Sequence, residues 1–131
     1  MKYYLNQSES FSKTISEYDI YNFAGISGDF NPIHVNKEKA KKSIFKDRIA
    51  HGILVSSFIS TVLGMYMPGP GTIYLKQTLS FNKPVYIGDT ITATVTIKEI
   101  IADKKIAKIE TIVKNQKEIT VIEGEAIVKL P

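Results

Sequence analysis

Apolar and polar positions follow two rhythms along this chain. In its second half apolar residues return at every second position. Ile91, Ala93, Val95 and Ile97 alternate with Thr92, Thr94, Thr96 and Lys98, and Ala107, Ile109, Thr111 and Val113 alternate with Lys108, Glu110 and Lys114. Successive side chains on a strand point to opposite faces, so each run predicts a strand with one covered face. Ile73, Leu75, Leu79 and Phe81 stand out from Tyr74, Lys76, Thr78 and Ser80 in the same way. A last strand is expected from about Ile119 to Lys129, with Gly124 as a bulge or twist point. The links Val85 to Asp89, Ala102 to Lys105 and Asn115 to Glu118 are short and polar enough for hairpins.

The first half is mostly helical in period. After a short first strand, Phe11 to Ile15, the run Ser16-Glu17-Tyr18-Asp19 fits a capping box. Ile20, Phe23, Ala24 and Ser27 follow at helical spacing, and the helix stops near Gly28. From Asp29 to Ala50 the pattern is irregular, apart from a polar helical turn around Lys37 to Lys42 introduced by Asn36. Gly52 to about Met67 is apolar almost all round, which predicts a helix buried on every side, and Pro68-Gly69-Pro70-Gly71 ends it. One buried helix and four meandering strands predict a single α+β domain over residues 1–131, an antiparallel sheet wrapped around a central helix. Sheet edges are usually paired or covered, so edge-to-edge dimerisation is expected.

Composition narrows the function classes. The 131 residues are 44% hydrophobic, enough for one core. The net charge of +4 suits an anionic ligand carried on phosphates, and no aromatic-interleaved basic cluster points to nucleic acid. The absence of cysteine excludes disulfides, zinc–thiolate sites and a thiol nucleophile, and leaves His34 and His51 as the two imidazoles. MKYYLNQSESFSK has no apolar segment after its Lys and does not read as a signal peptide. The longest apolar stretch, Ile53 to Met67, is broken by Ser56, Ser57, Ser60, Thr61 and Gly64 and is too short to span a bilayer. A cytoplasmic protein with no membrane partner is expected.

Candidate chemistry concentrates in Ile26-Ser27-Gly28-Asp29-Phe30-Asn31-Pro32-Ile33-His34. Pro32 fixes its own φ and pushes Asn31 toward extended geometry, so the segment between Asp29 and His34 is a stiffened turn that brings carboxylate and imidazole to one point. Seventeen residues beyond His34, His51-Gly52 opens the buried helix, where free amides form a natural oxyanion site. A base for water, a proton donor and an amide for a developing enolate are what water addition to a conjugated thioester requires. No metal or cofactor is needed.

These residues resemble a known family. Tyr21-x-x-Ala24-Gly25-Ile26-Ser27-Gly28-Asp29-x-Asn31-Pro32-Ile33-His34, with Ala40 beyond, resembles the hydratase-2 signature of the MaoC-like dehydratases. The resemblance continues through Ala50-His51-Gly52-Ile53-Leu54, Gly71-Thr72-Ile73-Tyr74, Phe81-Asn82-Lys83-Pro84-Val85, Gly88-Asp89-Thr90 and Gly124-Glu125-Ala126. It runs from Ser16 onward and is strongest toward the short (R)-specific enoyl-CoA hydratases that feed polyhydroxyalkanoate synthesis. It implies a hot-dog fold, a homodimer whose sheets join, an acyl-CoA substrate, and Asp29 with His34 as the catalytic pair.

Other site residues carry two readings each. Asn31 either braces the turn or touches water. Gly52 either donates its N–H to the thioester oxygen or permits tight packing. His51 caps or packs, or transfers a proton. Ser60 is a quiet core hydroxyl or faces the acyl pocket, and Leu63 bounds the acyl chain or is plain core. Arg48 and Lys83 are candidates for the CoA phosphates, against the reading of solvated charge. Rival activities are dehydration on acyl carrier protein, thioester hydrolysis, or mere acyl-thioester binding. The lack of Asp or Glu between Gly52 and Met67 argues against hydrolysis, since thioesterases of the implied fold generally place a carboxylate in the central helix.

Overall fold

The structure is a computed structural model that describes residues 2–131. Strand β1 (Ser8–Thr14) leads into helix α1 (Glu17–Ser27), whose start is the expected capping box. The Ser16 hydroxyl accepts from the Asp19 amide at 3.1 Å, and the Ser16 amide donates to the Asp19 carboxylate at 2.9 Å. Gly28 closes the helix at φ 79°, a left-handed conformation that costs glycine little. A short helix, α2 (Pro32–Val35), occupies residues read as irregular, and a second, α3 (Lys37–Lys41), is the expected polar turn after Asn36. Proline at the first position of α2 loses no helical bond, and the side chains of Asn31 and Asn36 cap the two helices. Helix α4 (Gly52–Met65) follows.

The remaining strands are β2 (Ile73–Gln77), β3 (Ser80–Phe81), β4 (Thr90–Ile101), β5 (Ile106–Lys114) and β6 (Thr120–Lys129). They form one antiparallel sheet in the order β1-β4-β5-β6-β2, with β3 also paired to β6. The alternation in the sequence is the alternation in the core: Ile91, Ala93, Val95, Ile97, Ala107, Ile109, Val113, Ala126 and Val128 are all fully buried. They close on Leu54, Val55, Ile59, Val62 and Leu63 of α4, so the sheet wraps the helix. Thr111, the polar member of this set, is buried because its hydroxyl accepts from the Gln77 side chain at 2.9 Å.

Three expectations need correction. The link Val85 to Asp89 is not a hairpin, because β3 pairs with β6 whereas β4 pairs with β1 and β5; it carries the chain across the mouth of the sheet. Helix α4 is not buried on every side: Ile53, Ser57 and Ser60 are exposed along one face. The single run expected over 73–81 is two strands. It irregularly shifts register between Tyr74 and Lys76, then breaks at Thr78, whose amide and hydroxyl bond Glu125.

That break explains Gly124, which is no bulge, since it pairs in register with Thr111. A Cβ at Gly124 would stand 1.8 Å from the Thr78 carbonyl oxygen. The contact is backbone and cannot swing aside. Gly124→Ala is therefore expected to destabilise the fold by about 1–3 kcal/mol, the usual cost of overpacking, read as a lowered melting temperature. An unchanged melting temperature would contradict the close approach.

Candidate active site

Asp29 sits just past α1, on a turn braced by its own neighbours. Its amide donates to the Ser27 hydroxyl at 3.1 Å, and its carboxylate accepts from the Asn31 amide at 3.2 Å. The Asn31 carbonyl group of the side chain accepts from the Ile33 amide at 3.3 Å, so Asn31 caps α2, the bracing reading of that residue. One turn later His34 projects inward and is buried, while Asp29 remains exposed. The sequence placed these two together, and the structure does so.

His34 Nδ1 lies 2.7 Å from the Ile49 carbonyl oxygen. A carbonyl only accepts, so Nδ1 carries the proton and neutral His34 offers a bare Nε2. Ile49 is itself fixed, since its amide donates to Ile33 and the next amide, Ala50, donates to Val85. Burial pushes the His34 imidazole below its ordinary value of 6.5. The bond to Ile49 and the charge of Asp29 pull it up, while charge on His51 pushes it further down. His51 stacks on His34 with ring centroids 3.9 Å apart, and its Nε2 lies 2.9 Å from the Asp29 carbonyl.

Asp29, His34 and His51 each present one carboxylate oxygen or ring nitrogen within 4.8 Å of the others. A water that donates to two acceptors bridges about 5 Å at most, so the carboxylate and an imidazole lie within reach of one water. Such a trio also has the donor types for a metal ion. The planes of the two imidazoles are 28° apart.

A cavity of about 470 Å³ opens beside His34, lined by Phe45, Ile49, Ala50, Gly52, Val55, Phe81, Lys83, Val85 and Ile122 among others. Gly52 is the first residue of α4, so its amide has no acceptor within the helix. The glycine itself has a packing cause: a Cβ there would lie 2.6 Å from two atoms of the Phe81 ring. Both readings of Gly52 thus stand on one position, with the Phe81 ring as the contact that the sequence did not reveal. Lys83 lines the cavity, consistent with an anionic group nearby.

Arg48, Ser60 and Leu63 lie elsewhere. Arg48 is spoken for: its guanidinium pairs with Glu17 at 2.7 Å, which holds it charged, and donates to the Tyr21 hydroxyl at 3.0 Å. Ser60 is exposed, not a core hydroxyl, and lines a separate groove under β2. Leu63 is packed into the core, away from the cavity lining. The carbonyl of Ile49 was invisible in advance, because a backbone oxygen has no residue type to signal it.

The residues 6–121 match the family model described as MaoC like domain. The chain belongs to this family. It is 54% identical to the (R)-specific enoyl-CoA hydratase of Rhodospirillum rubrum, over 95% of this chain and 86% of that one. A mitochondrial 3-hydroxyacyl-[acyl-carrier-protein] dehydratase of Arabidopsis thaliana is 40% identical, over 92% and 73%. The solved (R)-hydratase of Aeromonas caviae involved in PHA biosynthesis superposes with a TM-score of 0.96 at 40% identity, covering 98% of both chains. The fold is the hot-dog fold of these MaoC-like enzymes. Among the described residues no helix is long and apolar enough to cross a membrane.

The Phe81 contact is testable. In Gly52→Ala the half-exposed ring must move, because an aromatic side chain yields where backbone does not. The expected outcome is a melting temperature lowered by only a few degrees, roughly 1 kcal/mol, with the ring displaced in a crystal structure. An undisplaced Phe81 would refute the packing.

Proposed function

We propose that this protein adds water across the double bond of a trans-2-enoyl-CoA to give the (R)-3-hydroxyacyl-CoA. The observation that carries the reading is that the Asp29 carboxylate and the His34 imidazole lie within 4.8 Å of each other, with His34 lining an apolar cavity. The name of the R. rubrum relative, 54% identical, supports it, and the carrier-protein dehydratase is the more distant match. No carboxylate stands in α4 to favour thioester hydrolysis.

In this mechanism one water donates a hydrogen to Asp29 and another to His34 Nε2. As its oxygen attacks C3, one of the pair takes the proton, and the pair returns a proton to C2 on the same face. Asp29 is the favoured base, with His34 holding the water. The Gly52 amide stabilises the enolate oxygen on the thioester carbonyl. Asn31 acts by bracing the turn. The anchored Nδ1–H keeps the His34 ring from rotating during the transfer. No metal or cofactor enters.

Run with crotonyl-CoA in deuterated water, the enzyme is expected to remove the enoyl absorbance without releasing thiol. The product is (R)-3-hydroxybutyryl-CoA with deuterium at C2 on the face of the new hydroxyl; an (S) product or anti label would sink the reading. Asp29→Asn and His34→Gln are each expected to lower kcat by about 10²–10⁴-fold with little change in binding. Because His34 must be unprotonated to accept from water, the rate falls as pH drops through its folded value, so the acid limb lies below 6.5.

The assembly belongs to the same reading: a cytoplasmic homodimer that supplies polyhydroxyalkanoate synthesis. What supports the dimer is the open face of α4 beside the unpaired edge of β2, where Ile73, Tyr74 and Leu75 are all exposed. Leu75→Arg is expected to convert the dimer to monomer in light scattering. A wild-type monomer at working concentration would refute the assembly.

A further inference from the structure

His51 has no task in the reaction above, yet its surroundings are not those of a packing residue. It is the N-cap of α4, a position that favours Ser, Thr, Asp or Asn, but its side chain makes no capping bond. It is 2% exposed, so an imidazole has been taken out of water without serving the helix it begins. One edge of its ring meets Phe23 of α1 at 4.9 Å between centroids, and one face lies on His34 at 3.9 Å.

Its hydrogen bonding settles its tautomer. Nε2 faces the Asp29 carbonyl at 2.9 Å, and a carbonyl can only accept, so Nε2 carries the proton. Nδ1 is then bare, and it is buried without a partner. His34 has the opposite arrangement, with its proton on Nδ1 toward Ile49. Among the described residues, the His51 bond is the one hydrogen bond that ties Asp29 to anything beyond residues 27–31. Asp29 itself is therefore tied to the buried scaffold by one donor, and that same ring forms the floor under the imidazole.

We infer that His51 is a positioning residue of the hydration reaction: its Nε2–H fixes the Asp29 turn while its face fixes the His34 ring, setting the gap in which the catalytic water sits. A bound geometry about 1 Å out of place costs on the order of 10²-fold in rate, so such an anchor acts strongly on kcat without touching substrate. The inference rests on the hydratase reading, and its test has a part that needs no turnover.

The chain has two histidines, so nitrogen NMR on wild type and His51→Phe assigns both rings. The expected result is opposite neutral tautomers, Nδ1–H for His34 and Nε2–H for His51. A His51 proton on Nδ1 overturns the inference whatever the enzyme's activity. With crotonyl-CoA, His51→Phe keeps the stacked ring and loses the donor, whereas His51→Gln keeps a donor near the Nε2 position and loses the ring. We expect His51→Phe to lose about 10²-fold in kcat with KM within about threefold, and His51→Gln to recover much of it.

The acid limb gives an independent reading. The charged or titratable groups around His34 are Asp29 from the turn, His51 from the start of α4, and Lys83 across the cavity. His51→Phe removes one source of repulsion for protonated His34, so the limb moves to higher pH. An unmoved limb, with activity lost only in proportion to the unfolded fraction, would reduce His51 to a structural residue. A wild type that leaves crotonyl-CoA untouched refutes the activity, and the tautomers still decide the role of His51.

Discussion

Enclosure of one apolar helix by one curved sheet is the constraint on which the other features depend. Leu54, Val55, Ile59, Val62 and Leu63 of α4 share one core with the inward positions of the sheet, where the helix lies against β4, β5 and β1, so the axis of the helix is set by the sheet. Burial on this scale is worth roughly 1.5–3 kcal/mol for each large apolar side chain, more than a loop can oppose. Once the axis is set, the first turn of α4 must emerge at the mouth of the sheet. Its free amides and His51 arrive there together. The link Val85 to Asp89, crossing the same mouth, supplies the carbonyl that holds Ala50.

The segment from Gly28 to Ala50 has little regular structure of its own, yet it is pinned from several directions. Ile33 accepts from Ile49, the Tyr86 hydroxyl donates to Phe45, and Arg48 ties the segment to Glu17 and Tyr21 of α1. Tyr21 in turn donates to Val35, at the end of the short helix that bears His34. A loop held in this way gives the Asp29–His34 pair the rigidity of a strand while leaving its polar atoms free of sheet hydrogen bonds. The opposed tautomers of the two histidines follow from the same pinning, since each ring spends its one N–H on a backbone carbonyl.

The open face of α4 adjoins the site. Ile53 borders both the cavity and the groove beneath β2, so whatever covers that groove also shapes one wall of the cavity. Ser57, Ser60 and Gly64, small or polar on an otherwise apolar helix, lie along this side. Small residues let a second surface approach closely without burying an unpaired charge.

Much of this was legible in the residues. The capping box at Ser16, the alternation in β4 and β5, and the length of α4 are local patterns, and local patterns report faithfully on local geometry. Asp29 and His34 were readable for the same reason, because Pro32 restricts the backbone between them. The tertiary structure alone decided what each face meets. An apolar helix predicts cover without saying which side is left open, so the exposure of Ser60 and the core burial of Leu63 could not be read. Gly124 was marked as unusual, but the Thr78 backbone that requires it lies 46 positions away in sequence and arrives only through strand pairing. The Ile49 carbonyl that sets the tautomer of His34 leaves no trace in composition, since every residue has a carbonyl and only the fold determines where it points.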